Sequence, residues 1–230
     1  MKPISLVMPV YNEAEVIQDV ITKYAKVLKK IPGSEFVICE DGSTDGTKEI
    51  LQRLKKKYHL TLYQSPKRKG AVKGFLDSLT HAKKDIIWFS DSDNTHDPAD
   101  VFKLLKKLDG FDMVTGRKFP RKDPVYRLFV SWGLNTFINV LFGTRFHDIN
   151  SGFRLIKKEL LNDFLPKLGK FPACILTELS LLAIQRGYRV AEIPVSHYLR
   201  HGASRAIDPQ KLPSLAWGIL AAMLHIRFRL

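Results

Sequence analysis

The sequence predicts an α/β fold, a mostly parallel central sheet with helices on both faces, closed by amphipathic C-terminal helices. Two patterns lead there. Short, near-continuous apolar runs of the kind buried on both faces of a parallel sheet alternate with stretches in which apolar residues recur every three or four positions, the helical period. Turn-forming and acidic residues then gather just after the apolar runs, at Tyr11, Asp41 and Asp91. Ligands of open α/β sheets bind beyond the carboxyl ends of their strands, so these loops should converge on one site.

Taken in order, Ile4–Val10 is the first strand, and Ala14, Ile17, Val20, Ile21, Tyr24 and Leu28 give the first helix. Residues 36–39 form a second strand, followed by a helix marked by Ile50, Leu51, Leu54 and Tyr58 beside three lysines, Lys55 to Lys57. Residues 60–63 are a third strand, and Val72, Phe75, Leu76, Leu79 and Ala82 a third helix. Residues 86–89 are a fourth strand, Val101, Leu104, Leu105 and Leu108 a fourth helix, and residues 112–115 a fifth strand. The second half reads differently. Val125–Phe142 carries Leu128, Phe129, Trp132, Leu134, Phe137, Ile138, Leu141 and Phe142, more than one helical stripe needs. That helix is therefore either deeply buried or in contact with something apolar. Residues 176–186 read as a helix and 189–197 as a strand. The tail, 212–230, is apolar but interrupted by His225, Arg227 and Arg229. Its uncharged stretch falls short of the ~20 residues a spanning helix needs, so it reads as an interfacial or a packing helix.

The 230 residues are 45% apolar and 26% charged, which excludes a disordered or collagen-like chain. The unusual quantity is a net charge of +14, from 37 Lys and Arg against 23 Asp and Glu. Such a surplus calls for an anionic partner: nucleic acid, a phosphorylated small molecule or an acidic membrane surface. Two cysteines, Cys39 and Cys174, exclude a disulfide framework and a cysteine-based zinc site. The N-terminal apolar run is too short for a signal peptide and lacks a small-residue cleavage site, which leads us to expect a cytoplasmic protein.

Three motifs after strands carry chemistry. Asp91 and Asp93, in Ser90-Asp91-Ser92-Asp93, can share a loop and meet one hard cation, Mg²⁺ or Mn²⁺, which takes oxygen ligands together with substrate phosphates. Asp-rich turns also cap helices, and Asp97-Pro98 is placed to start one. In Glu40-Asp41-Gly42-Ser43-Thr44-Asp45-Gly46-Thr47, Asp41 can accept hydrogen bonds from a ribose or base edge, while Ser43, Thr44 or Asp45 caps the following helix. In Pro9-Val10-Tyr11-Asn12-Glu13, Tyr11 offers a stacking face for a base and Glu13 opens a helix.

Together these three motifs resemble the nucleotide-sugar-binding half of glycosyltransferase family two, with its GT-A fold, a Rossmann-like sheet. The likeness continues through Gly116-Arg117, Arg127-Leu-Phe-Val-Ser131, Asp148-Ile-Asn-Ser-Gly-Phe-Arg154 and Glu192-Ile-Pro-Val195 to Arg200-His-Gly202-Ala-Ser204-Arg205, so it spans roughly residues 3–205. The later motifs are similar to those of the polyprenyl-phosphate hexosyltransferase branch that includes dolichol-phosphate mannose synthase. This resemblance implies a catalytic domain over 1–206, with a donor half at 1–116 and an acceptor half at 117–206; residues 207–230 follow as an amphipathic helix that either lies on a membrane or packs on the core or a partner. It implies donor contacts from Pro9, Tyr11, Glu13, Asp41, Lys69, Gly70 and Asp91, and metal ligation by Asp91 and Asp93. Thr95 stands where the branch usually has a ligating Gln and is the candidate for a third ligand. Arg117, Arg127, Ser131 and Arg200 would bind the acceptor phosphate, with Asp93, Arg117 and Arg127 the catalytic residues.

The reaction implied is transfer of a hexose, mannose from GDP-mannose or glucose from UDP-glucose, onto dolichyl or another polyprenyl phosphate at the cytoplasmic membrane face. A phosphate monoester is already anionic at neutral pH, so the enzyme must supply positioning and charge neutralisation more than a base. Guanidinium forks suit that task, and part of the surplus charge falls at Arg117, Lys118, Arg121, Lys122 and Arg127. A family-two enzyme with a glycan acceptor is the alternative. A nucleic-acid-binding module is the remote one: the chain has no helix-turn-helix, zinc or ribonucleoprotein signature, and no nucleic acid partner is expected.

Overall fold

A computed structural model describes residues 1–123, 125–171, 174–200 and 212–228. Seven strands form one sheet: β1 (Ile4–Val10), β2 (Glu35–Glu40), β3 (Thr61–Gln64), β4 (Ile86–Ser90), β5 (Met113–Lys118), β6 (Phe153–Lys157) and β7 (Val190–Val195). Their order across the sheet is β3-β2-β1-β4-β6-β5-β7. β1 runs parallel to both β2 and β4, β2 is parallel to β3, and β5 is parallel to β7. The exception is β6, which lies antiparallel between β4 and β5. The sheet is mostly parallel, as expected, but the strand reading had passed over β6.

Among the described residues eight α-helices accompany the sheet: α1 (Ile17–Leu28), α2 (Thr47–Tyr58), α3 (Ala71–Thr80), α4 (Val101–Leu108), α5 (Val125–Phe142), α6 (Lys158–Phe164), α7 (Ile175–Gln185) and α8 (Leu212–Phe228). The period-two alternation of the strands builds two cores. Leu6, Met8, Ile38, Trp88 and Leu155 face α1, α2 and α4, while Val7, Val37, Phe89 and Ile156 face α3, α6 and α7. Each fully buried Leu or Ile contributes about 2 kcal/mol of hydrophobic transfer energy, so the sheet is a rigid platform for its loops.

A third cluster joins α5, α7 and α8 through Ile138, Ile149, Leu181, Met223 and Ile226. Along α5 only Asn135 and Ile138 are buried. Val125, Tyr126, Phe129, Val130, Trp132, Phe137 and Val140 are exposed, which removes deep burial as the reason for its greasy composition. α8 packs one stripe against α7 and leaves Trp217 and Phe228 outside. Among the described residues no helix is long and apolar enough to cross a membrane.

Candidate active site

Because β1, β2 and β4 are adjacent and parallel, the loops that follow them meet at one edge of the sheet. The first two are laced together. Asn12 donates its backbone N–H to Ser43 Oγ at 2.9 Å, Thr44 returns an N–H to Asn12 Oδ1 at 2.9 Å, and Glu13 N–H reaches Thr47 Oγ1 at 2.9 Å. Gly42 adopts φ +73°, and a Cβ there would sit 2.4 Å from the backbone nitrogen of Arg68. Only glycine allows that approach. It brings the segment before α3 onto Asp41, whose Oδ1 accepts the Lys69 N–H at 2.7 Å and Oδ2 the Gly70 N–H at 3.0 Å. Asp45 accepts the Thr47 N–H at 3.1 Å at the start of α2, and both Asp41 carboxylate oxygens are held by the main chain at the start of α3. The guanidinium of Arg68 lies 4.2 Å from the centre of the Tyr11 ring, so this ring face already holds a cation.

Tyr11, Glu13, Asp41, Asp91, Asp93 and Arg200 line one cavity of about 330 Å³, with Pro9 and Gly74 at its wall and Phe75 and Phe89 beneath. Lys69 lines a smaller neighbouring cavity, and its ammonium pairs with Asp77. Asp91 donates its N–H to the Gly152 carbonyl at 3.1 Å. Its carboxylate lies flat on the same glycine, where a Cβ would be 1.8 Å from Asp91 Oδ2. Burial, and next the charge of Asp93, push the Asp91 carboxyl up to about 6. Asp93 Oδ1 accepts the Thr95 hydroxyl at 2.7 Å. Thr95 thus steadies a carboxylate, and its proton is not available to another acceptor. Arg200, on the segment after β7, bridges Glu13 Oε1 at 2.7 Å and Asp93 Oδ2 at 3.5 Å.

Two hard carboxylates that repel one another fit Mg²⁺ or Mn²⁺, cations that keep much of their shell for water and substrate phosphates. Among the described residues no group of three or more His, Cys, Asp or Glu side chains is placed to hold a metal. An ion held by Asp91 and Asp93 would therefore depend on the diphosphate of its donor for further ligands.

A second cavity, about 640 Å³, opens beside α5. Arg117, Lys118, Arg121 and Arg145 make it basic, and Phe119, Leu128, Trp132 and Phe146 make its walls apolar. Ser131 lies in this cavity, its hydroxyl accepting from Arg121 Nη1 at 2.6 Å. Arg127 is not part of the lining: its Nε donates to the Tyr126 hydroxyl at 3.3 Å and its Nη1 lies 4.0 Å from Asp123. The structure thus brings Arg117 and Ser131 together, sets Arg127 aside and introduces Arg121 and Arg145. Residues 201–205 of the basic element lie outside the described residues.

One turn serves both cavities: Asp148 lines the basic cavity, Asn150 the acidic one, and Gly152 supports Asp91. Arg154 holds that turn from within. It is fully buried, and donates to the carbonyls of Ile149 at 3.1 Å, Ser151 at 3.0 Å and Leu176 at 3.1 Å, and to Ser180 Oγ at 3.1 Å. Sequence reading saw Arg154 only as the last letter of a motif. An arginine within an apolar strand was the available sign that it serves the interior.

Comparison with known proteins bears on the family and the fold. Residues 5–165 match the model of glycosyl transferase family 2. The chain is 28% identical to glycosyltransferase AglJ of Haloferax volcanii over 212 residues, covering 90% of this chain and 67% of that protein. It is 28% identical to a polyprenol monophosphomannose synthase of Mycolicibacterium smegmatis over 204 residues, covering 83% of this chain and 76% of that one. Among solved structures, glucosyl-3-phosphoglycerate synthase from Mycobacterium tuberculosis, in complex with Mn²⁺, UDP-glucose and phosphoglyceric acid, superposes with a TM-score of 0.73. It is 21% identical, and the match covers 98% of this chain and 80% of that one. The sheet and its helices are therefore those of a GT-A glycosyltransferase.

Proposed function

The chain belongs to glycosyl transferase family 2, and on that premise we propose that it transfers a hexose from a nucleotide sugar to a polyprenyl phosphate. The observation that carries this reading is the pairing of an acidic cavity with a basic one whose apolar walls adjoin the exposed face of α5. The acidic cavity suits a metal–diphosphate. The basic cavity suits a phosphate with a hydrocarbon chain attached. The polyprenol monophosphomannose synthase relative supports mannose, and so GDP-mannose, as the donor; UDP-glucose is the second donor considered, after the ligand named for the structural neighbour.

In this reading Pro9, Tyr11, Glu13, Asp41, Lys69 and Gly70 hold the nucleotide, and Asp91 and Asp93 would hold Mg²⁺ or Mn²⁺. When bound, that cation supplies the positive charge that offsets the departing diphosphate. Arg117 and Ser131 fix the acceptor phosphate. Arg200 rests on Glu13 and Asp93 in the acidic cavity, on the donor side in this reading. An acceptor phosphate oxygen attacks C1 of the sugar, the C1–O bond to the nucleoside diphosphate breaks, and the anomeric configuration inverts. The chain would work at the cytoplasmic membrane face, with α5 and α8 against the lipid.

Transfer of radiolabel from GDP-[¹⁴C]mannose or UDP-[¹⁴C]glucose to dolichyl phosphate in the presence of Mn²⁺ tests this. Label in the lipid fraction, lost in Asp93→Ala, is the expected result. Labelling of a soluble phosphate monoester, with none on the polyprenyl phosphate, would replace the lipid acceptor with a soluble one.

A further inference from the structure

We propose that Arg200 competes with the divalent cation for Asp93 and gives way only when a nucleoside diphosphate arrives with that cation. The proposal rests on the reading of the acidic cavity as a metal–diphosphate site. Asp93 has one carboxylate oxygen clear of its own loop. Its Oδ1 accepts the Thr95 hydroxyl at 2.7 Å and the Thr95 N–H at 3.3 Å. On the other oxygen, Oδ2, stands Arg200 Nη1 at 3.5 Å, while Arg200 Nη2 donates to Glu13 Oε1 at 2.7 Å. The fold delivers this contact. Asp100 Oδ2 accepts the Ser196 N–H at 2.6 Å, and the Thr95 carbonyl accepts the Tyr198 N–H at 2.8 Å. The segment that carries Arg200 is thereby laced to the loop that carries Asp93. The seat is nonetheless incomplete, because Arg200 Nε is buried without an acceptor among the described residues. A buried N–H left so is costly, and the guanidinium will exchange this seat for one with a better anion.

Without a nucleotide, Arg200 must be pushed off Asp93 for a cation that gains only two carboxylates, Asp91 and Asp93. A diphosphate changes the balance. Its oxygens add ligands to the cation, and its charge offers the displaced guanidinium a new partner in the cavity that Arg200 already lines. Cation and nucleotide therefore bind strongly only together, and Arg200 is the side chain that couples them.

Titration with Mn²⁺, its free fraction read by electron paramagnetic resonance, tests this without any sugar transfer. The wild type, Arg200→Gln and Arg200→Lys are compared with and without GDP or UDP. Arg189→Gln, which removes a cation paired with Asp112 before β7, controls for total charge. Without nucleotide, Arg200→Gln should bind Mn²⁺ about tenfold or more tighter than the wild type, the effect of no longer breaking a charge-assisted hydrogen bond. Arg200→Lys keeps the charge but not the fork, so its affinity should fall between the two; it carries the test alone if the glutamine variant does not fold. Arg189→Gln should stay within about twofold of the wild type. With GDP or UDP present, the gain in Arg200→Gln should shrink to about threefold or less. Equal Mn²⁺ affinity in the wild type and Arg200→Gln without nucleotide overturns the proposal. So does Arg200→Lys indistinguishable from the wild type, or a gain undiminished by nucleotide, since either reduces Arg200 to a distant repelling charge. In each of these cases Mn²⁺ uptake by the wild type with GDP or UDP leaves the metal reading of the cavity standing. A wild type that takes up no Mn²⁺ even with nucleotide overturns both.

Discussion

Asp91 is kept where its charge is least comfortable. Buried and beside Asp93, its carboxyl titrates near 6 in the fold, against 3.8 for the ordinary side chain. The folded protein binds that proton more tightly than the unfolded chain does. The associated stability is present below about pH 4 and lost as pH rises through about 6. Above that the ionised group costs about 3 kcal/mol. Asp91→Asn should therefore raise the Tm of metal-free protein at pH 7.5 by several degrees, roughly 5–10 °C, and the gain should vanish near pH 4. Added Mn²⁺ with nucleotide should stabilise the wild type and not the variant. Differential scanning calorimetry at the two pH values checks both statements. Gly152 gives a companion case. A methyl group at that position would overlap Asp91 Oδ2, so Gly152→Ala must displace the carboxylate. We expect a loss of about 1–3 kcal/mol from overpacking, and loss of Mn²⁺-dependent nucleotide stabilisation in a thermal-shift assay. The acidic pair after β4 was visible in the sequence, where helix capping by an Asp-rich turn was the other reading. The glycine beneath them was not, since it meets Asp91 only through pairing of strands far apart in the chain.

At the scale of elements, β1, β2, β4 and the helices between them could be read directly, because their apolar periods are clean. β6 could not. Its run Phe153-Arg-Leu-Ile-Lys is short, carries an arginine at its second position and is antiparallel where all around it is parallel. The arginine is the reason for its irregular look: Arg154 replaces an apolar side chain by a guanidinium bonded to main-chain carbonyls of two segments. Arg154→Met would strand those carbonyls without donors, at a cost on the order of 3 kcal/mol. Urea unfolding should show a lower midpoint with an unchanged slope. That Arg121 and not Arg127 lines the basic cavity was equally hidden, because both precede Ser131 and only the path from β5 into α5 decides which one turns inward. For α5 itself, composition posed the right alternative, burial or an apolar partner, and the fold removed the first.

Over the whole molecule, the +14 surplus is not spread evenly with respect to function. Carboxylates dominate one cavity, and arginines and a lysine dominate its neighbour. The exposed aromatic residues of α5 border the basic side, with Phe129 at 69% and Trp132 at 66% exposure. If the chain works at a membrane, aromatic insertion and basic residues near anionic headgroups act together, the latter adding about 1 kcal/mol each. Phe129→Ser/Trp132→Ser should therefore reduce co-sedimentation with phosphatidylserine-containing vesicles at least tenfold while leaving Tm within a degree or two. Binding of the wild type should weaken as salt rises from 50 to 500 mM, as electrostatic screening requires. Of the lysines of α2 and α4, Lys103 pairs with Asp100 at 2.6 Å and Lys57 and Lys107 lie over the Tyr58 and Phe111 rings, while Lys55, Lys56 and Lys106 are exposed on their helices.

The antiparallel strand β6 has a consequence for how such a chain can be recombined. It is hydrogen-bonded to β4 on one side and β5 on the other, and the turn before it contributes Asp148 to one cavity and Asn150 to the other. A chimera joined between residues 116 and 117 would pair a foreign β6 with the resident β4 and seat a foreign glycine under the resident Asp91. The acidic and the basic cavity are therefore not interchangeable cassettes in this architecture. A graft that hopes to exchange one must carry the turn at 148–154 with the partner for which it was shaped.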